Sequence, residues 1–501
     1  MPRVALLLLL ALSLEGSEFY TGQAARAVLG QPSFSSKEAG VTASAMFLSN
    51  SRLYVADPAS RVLTFDLTKL PGPKDELSSR AGSLCPLCGL PPFTNVPQRV
   101  ASGSTVSIHG KTLAAIDTRG RRVLIWRDIT LASAAHGPDI VLQSSDLQTA
   151  VVSESTLVDP ISVAFDGMHL FVGDAALRRV LVWRSLPSVN NQSADAVLGQ
   201  RDFGARELAD VPRADTISRP ESLVSDGTNL FVGDSIDRRI LVFSPADLRL
   251  TADAVVNSAS LSAGPLAPGT LVTVMGNTLA DKTSAAPDDG SETLPTKLAG
   301  VQVLFNGLPL PLIAVSPAEI RTQLPYAPVS FTSANLYLRI ERNDGTVAIT
   351  TPVTVSLTAA SPALFAFGGK EPRPGILLHS DASDGSDGTP VTSEDPAVPG
   401  EAVTVWTTGL ELAGVAPEQA PVAGVPYTGT DLIFAPVRAS VNGEPAEVQS
   451  VTYPRTSIGV YQIRIVLPPG IAQDSSAQLT ITQDSVSSNV ITVPVKRSSA
   501  R

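Results

Sequence analysis

The chain is poor in cysteine: Cys85 and Cys88, in SLCPLCGLPP, are the only two in 501 residues. A small scaffold stapled by many disulfides is therefore excluded. Histidine is almost as scarce, and His109, His136, His169 and His379 are scattered without ligand spacing, which argues against a multi-histidine metal centre. Charge is thin at 17%, net −10, and no Lys/Arg stripe with interleaved aromatics occurs. Nucleic acid is not an expected partner. The short basic end, Lys496, Arg497 and Arg501, reads as a solvated tail. No apolar run approaches the ~20 residues that cross a bilayer, so no membrane span is expected in the mature chain. A G-x-S-x-G elbow, an H-E-x-x-H pair and a phosphate-cradling glycine loop are all missing.

What the chain does have is length, turns and β-formers. At ~100–200 residues per domain, 501 residues make about three domains. Hydrophobic residues at 43%, with Pro 40 and Gly 37, suit many short strands punctuated by turns, so the expected fold class is all-β. The opening MPRVALLLLLALSLEGSEFY has Arg3, an apolar stretch Val4 to Leu14 and a small/polar stop, the pattern of a secretory signal over residues 1–17. An exported chain is expected, periplasmic, on the cell surface or secreted, without a lipid anchor because no cysteine follows the apolar stretch. In that setting Cys85 and Cys88 are read as a small-loop disulfide. Half a zinc site, or a redox pair, remains the alternative.

FVGDAALRRVLVW (Phe171 to Trp183) and FVGDSIDRRILVF (Phe231 to Phe243) are nearly one phrase written twice. LYVADPASRVLTF from Leu53 and LAAIDTRGRRVLIW from Leu113 are two more copies. The aspartates Asp57, Asp117, Asp174 and Asp234 are spaced by 60, 57 and 60 residues, and Arg61, Arg122, Arg179 and Arg239 recur with them. Fixed spacing of this kind marks a repeat architecture. Turn pairs precede each phrase (Asn50-Ser51, His109-Gly110, Asp166-Gly167, Asp226-Gly227), so each unit is a hairpin followed by a second reversal at the Asp-to-Arg turn. A further short strand is marked by AVLGQ at Ala27 and at Ala196, IVLQ at Ile140 and AVV at Ala254. Four strands per unit, none able to bury both faces alone, predict blades packed around an axis. A group needed once per blade fastens that blade, so the repeated Asp and Arg residues are expected to be structural; the alternative is an arginine ring that attracts an anion.

These phrases resemble the NHL-type β-propeller repeat over about residues 25–256. That resemblance implies a β-propeller; such families usually have six blades, whereas the phrases here count to a small propeller of about four, closed by either AVLGQ at Ala27 or AVV at Ala254.

Beyond Val256 the phrase disappears. LAPGTLVTVMGNTL at Leu266 is answered by AVPGEAVTVWTTGL at Ala397, VQVLFNGLPLPL at Val301 by VRASVNGEPAEV at Val437, and IRTQLPY at Ile320 by IRIVLPP at Ile463. Three landmarks in one order indicate a duplication of two Ig-like β-sandwiches, 257–366 and 398–496, with 497–501 as tail. The stretch from about 254 to 495 is similar to the uncharacterised C-terminal domain family named for Solibacter, frequent in large exported acidobacterial proteins, and its halves resemble the IPT/TIG type of Ig fold, a spacing and contact module. Between them, 367–397 reads as an Asp/Gly/Ser-rich linker, where Asp381, Asp384 and Asp387 are weak calcium candidates without EF-hand spacing. The expected function is a non-enzymatic binding or scaffold protein with a protein or carbohydrate partner. No other cofactor is expected. The alternative is a lactonase- or lyase-like propeller enzyme with a channel metal, drawing on unrepeated residues such as His136, His169 and Glu207.

Overall fold

The computed structural model describes residues 17–37, 40–57, 61–77, 88–90, 94–97, 105–131, 136–143, 152–287, 293–326, 332–380, 387–414, 420–429 and 431–496. Among the described residues the chain is β throughout, interrupted by short 3-10 turns, and no α-helix occurs. Among the described residues no helix is long and apolar enough to cross a membrane.

The first half begins with β1 (Ala27–Leu29). β2 (Ala45–Ser49), β3 (Arg52–Asp57) and β4 (Arg61–Asp66) follow, then β5 (Cys88–Leu90) and β6 (Thr94–Pro97). Next come β7 (Val106–His109), β8 (Thr112–Asp117), β9 (Arg122–Trp126) and β10 (Ile140–Gln143). β11 (Pro160–Phe165), β12 (Leu170–Asp174), β13 (Arg179–Trp183) and β14 (Ala196–Leu198) form a third group. β15 (Pro220–Ser225), β16 (Leu230–Asp234) and β17 (Arg239–Phe243) complete the set.

These strands make four small antiparallel sheets in the orders β2-β3-β4-β6, β7-β8-β9-β10, β11-β12-β13-β14 and β15-β16-β17-β1. Every repeated phrase is the middle hairpin of its sheet, and the recurring Asp and Arg stand directly opposite one another in all four: Asp57↔Arg61, Asp117↔Arg122, Asp174↔Arg179 and Asp234↔Arg239. The fourth sheet takes its last strand from the other end of the unit. Ala27 pairs with Val242 and Leu29 with Ile240, the register that Ala196 and Leu198 hold on Val182 and Val180 in the third sheet. Of the two strands expected to close the set, AVLGQ at Ala27 does so, while Val255–Asn257 pairs with Leu271–Met275 instead. β5 runs parallel along the outer edge of β1.

Three of the sheet-to-sheet junctions are packed with apolar side chains. Phe165, Leu181 and Trp183 of the third sheet meet Val123 and Ile125 of the second. Phe171 and Val182 on its other face meet Leu230, Leu241 and Phe243 of the fourth. Phe231 and Val242 meet Leu53, Val55 and Phe65 of the first.

Serines lock two of these junctions: Ser162 Oγ donates to Pro220 O at 2.6 Å and Ser222 Oγ to Ala43 O at 2.7 Å. The glycine of FVGD makes room for them. A Cβ on Gly173 would overlap Ser162 Oγ, and one on Gly233 would overlap Ser222 Oγ and Ala43. Ser162→Ala or Ser222→Ala is expected to cost about 1–3 kcal/mol, because a buried carbonyl loses its donor. Urea denaturation measures it, and an unchanged midpoint in both variants would contradict the bridging role.

The second half holds two units. In the first, one sheet contains Leu271–Met275, Leu312–Val315 and Glu319–Gln323, and the other Val301–Phe305, Ser333–Glu341 and Val353–Ser356. A core including Val272, Val274, Ile320, Val303, Leu336 and Leu338 lies between them. The other unit is a single large sheet curled on itself. The cause is the long strand Glu444–Thr452, whose first residues pair with Val437–Val441 and whose remainder pairs with Tyr461–Val466, joining two faces that would otherwise be separate sheets. Strands also run through the 367–397 region, at Leu377–Ser380 and Asp387–Pro390.

The units are fastened together. Asn335 Nδ2 donates to Ala25 O at 2.6 Å and Arg26 O at 2.9 Å, and Leu304 and Tyr337 join the apolar cluster of the first and fourth sheets. Between the two C-terminal units, Tyr326 meets the hydroxyls of Tyr453 and Tyr461, each at 3.2 Å, in a buried cluster.

Candidate functional site

The first strands of the four sheets, β2, β7, β11 and β15, line one open cavity of about 1140 Å³. The turns that follow these strands gather at its rim, contributing Asn50, His109, Asp166 and Asp226, and the segment from Leu67 to Pro73 adds Leu70 and Pro73.

The polar wall is built by side chains that close the turns. Asp166 accepts the backbone N–H groups of Met168 at 2.9 Å and His169 at 2.7 Å. Its other oxygen meets His169 Nδ1 at 3.2 Å and accepts from Ser225 Oγ at 3.1 Å. Partial burial alone would raise this carboxyl, but the bonds from the His169 side chain and from the two N–H groups outweigh it and hold Asp166 at about 2. Asp226 repeats the turn, accepting from Thr228 N at 2.8 Å, Asn229 N at 2.6 Å and Asn229 Nδ2 at 3.1 Å.

Ser225, Asp166 and His169 are thus neighbours without being a catalytic triad. Serine and imidazole both bond the same carboxylate oxygen, so the serine proton is not aimed at the histidine. The arrangement holds turns rigid and leaves polar groups facing the cavity.

Among the described residues, two carboxylates and no lysine or arginine line the cavity. Arg26 lies behind the wall, fully buried, donating to Ser244 Oγ at 3.0 Å and to Asn229 Oδ1 at 3.4 Å. Burial depresses its guanidinium; Tyr337 and Asp226 oppose that. The remaining wall is apolar, with Phe47, Val106 and Ile108 exposed to the opening.

The repeated arginines lie elsewhere. Arg239 is wholly buried and donates to Asp234 Oδ2 at 3.1 Å, Phe34 O at 2.6 Å, Arg213 O at 3.0 Å and Thr216 O at 2.7 Å. Arg179 does the same in the third sheet, reaching Phe203 O at 2.7 Å and Thr156 O at 2.8 Å. Each therefore ties the segment entering its sheet to the VLGQ-x-x-F segment leaving it. Burial lowers Arg179 to about 10, opposed by Asp174, and burial likewise raises Asp174 and Asp234. In the second sheet Arg122 bonds Asp117 at 2.8 Å in a partly exposed pair. Asp57 is buried opposite Arg61.

The remaining sequence candidates do not converge. None of His136, His169 and Glu207 lines the cavity. Cys85, Asp381 and Asp384 lie outside the described residues, as do residues 1–16 and the side chains of Cys88, Arg61 and Asp387. Among the described residues no three His, Cys, Asp or Glu side chains group to hold a metal. Sequence reasoning missed Ser162 and Ser222, whose signal was the P-x-S shared by PISVAF and PESLVS, and it missed the apolar wall.

His379, in the last unit, presents Nδ1 to the Glu401 carboxylate and Nε2 to Asp395 O at 3.1 Å. Both ring nitrogens face acceptors, which only the imidazolium satisfies. Burial alone would lower its pKa, yet Glu401 and the Asp395 carbonyl raise it above the ordinary value. A raised folded-state value means a contribution to stability complete below about pH 6.5 and lost as pH rises through the raised value. Thermal melts from about pH 5 to about pH 9 are expected to show His379→Gln losing less stability on alkalinisation than the parent chain. Parallel curves would argue against it.

No protein-family model matches the chain, the NHL and Solibacter-type families included, and no curated protein matches it. Among solved structures it is similar to the Bacteroides ovatus mixed-linkage glucan utilization locus SGBP-B in complex with a mixed-linkage heptasaccharide, at 13% identity and a TM-score of 0.21. The match covers 54% of this chain and 52% of that one, so the chain spans about half the length of that structure.

Proposed function

We propose that the four small sheets are blades of a propeller whose central cavity binds a ligand without transforming it, and that the chain acts outside the cytoplasm. The two C-terminal units are Ig-like modules that hold this head at a distance or contact further partners. Export rests on the leader pattern of residues 1–17. The single observation that carries the binding role is the cavity of about 1140 Å³ framed by the four repeated first strands, with hydrogen-bonded turns on one wall and exposed apolar side chains on another. Non-enzymatic action is supported by the bonding of Ser225 and His169 to a common carboxylate oxygen, which leaves no activated nucleophile there.

Nile red, a neutral dye that brightens in apolar surroundings, tests the site. A single saturable site is expected, abolished by Ser49→Trp at the cavity wall and unaffected by Ser450→Trp on an exposed strand of the last unit. Absence of saturable binding, or equal binding by both variants, would overturn the reading.

A further inference from the structure

Among the described residues, three junctions between the four sheets are packed and one is not. The repeat shows what the fourth should look like. Phe47 stands opposite Tyr54 as Ala164 stands opposite Phe171, Val106 opposite Ala115 as Val163 opposite Val172, and Ile108 opposite Leu113 as Phe165 opposite Leu170. In the third sheet these positions are buried, with Ala164, Val163 and Phe165 at 3%, 1% and 8% exposure. Phe47, Val106 and Ile108 are exposed at 65%, 55% and 56%.

These three side chains belong to the two faces that should meet, the outer face of the first sheet and the facing side of the second. The opposite face of the first sheet is already committed to the fourth, through Leu53, Val55 and Phe65, and the opposite face of the second to the third, through Val123 and Ile125. Among the described residues no buried apolar cluster joins the first sheet to the second. The serine lock is missing there too. Ala45 pairs with Ala56 where Ser162 pairs with Gly173 and Ser222 with Gly233. A methyl group in place of the hydroxyl cannot donate to a neighbouring carbonyl.

This unpacked junction opens into the same cavity, so apolar surface that the other sheets bury against each other is left there for a ligand. Elsewhere its lining carries Asp166 and Asp226, and among the described residues no lysine or arginine lines it. Hydrocarbon is therefore favoured at one side and positive charge at the other, whereas an anionic head would meet two carboxylates at close quarters. Accepting the cavity as a ligand site, we infer that it takes a cationic amphiphile, whose hydrocarbon part lies against Phe47, Val106 and Ile108 and whose ammonium or guanidinium group lies by Asp166 and Asp226.

Isothermal titration of the full chain with dodecyltrimethylammonium and with dodecanoate, both below their micelle-forming concentrations, tests the inference. The ammonium is expected to bind about ten-fold or more tighter than the carboxylate of equal chain length, and the difference should shrink as salt is added. Phe47→Ser and Ile108→Ser, both at exposed positions, should each weaken the ammonium about ten-fold. Asp166→Asn with Asp226→Asn, where the amides can still accept the turn N–H groups, should abolish the preference for the cation. Equal binding of the two chains, indifference to both serine variants, or binding of cellohexaose with no response to the ammonium would overturn the inference. If Nile red still fills one site that Ser49→Trp blocks, such a result removes the ligand class and leaves the cavity as a binding site. Loss of Nile red binding as well removes both.

Discussion

Replacing Arg239 with methionine is expected to cost about 3–5 kcal/mol of stability. The guanidinium is wholly buried and holds Asp234 together with the carbonyls of Phe34, Arg213 and Thr216. Methionine fills much of the volume but donates nothing, so a buried carboxylate and three carbonyls lose their partner at once. Arg122→Met in the second sheet removes the same repeat position from a partly exposed pair and is expected to move the unfolding midpoint little. Chemical denaturation of the two variants side by side makes the comparison. Equal losses would show that the repeated arginine does the same work in every sheet, contrary to the clamp seen in the third and fourth.

The other large effect is expected at β1. Val28→Asp places a carboxylate at a position with 0% exposure in the centre of the strand that completes the fourth sheet, opposite Leu241. An unpaired buried charge costs about 3–5 kcal/mol, and the group escapes by taking up a proton or by leaving the sheet. Val197→Asp, the equivalent residue of β14 opposite Leu181, should cost about as much. The pair separates two views of the N-terminal strand. If β1 is an integral fourth strand, the variants unfold alike in urea; if it is a loose extension, Val28→Asp is far milder than Val197→Asp.

Much of the first half was legible because its phrases repeat and each carries its own turn chemistry. The Asp-to-Arg reversal, the preceding turn pair and the VLGQ strand all fall where local pattern places them. The choice between AVLGQ at Ala27 and AVV at Ala254 was not settled locally, since both are short apolar runs and pairing over some 200 residues leaves no mark on either. The curl of the last sheet was hidden for a different reason. Glu444–Thr452 is exposed along most of its length and pairs with two strands in turn, so its sequence resembles an ordinary edge strand. Ser162 and Ser222 were marked only by the P-x-S shared by their two strands. Their role depends on a glycine in the next strand and a carbonyl in the next sheet.

The candidate site was the least legible part. Phe47 and Ile108 sit in strands that pattern alone marks as half-buried, and their exposure follows from a junction that fails to pack, a property of two sheets and not of either sequence segment. The scarcity of histidine carried no information about where the cavity would lie.

Hydrogen exchange with and without saturating Nile red tests the central claim most directly. The account predicts slower exchange in peptides covering Ala45–Ser51, Val106–His109 and the turns at Asp166 and Asp226, with Glu444–Thr452 in the last unit unchanged. Protection confined to the C-terminal units, or none around the cavity while the dye is bound, would contradict it.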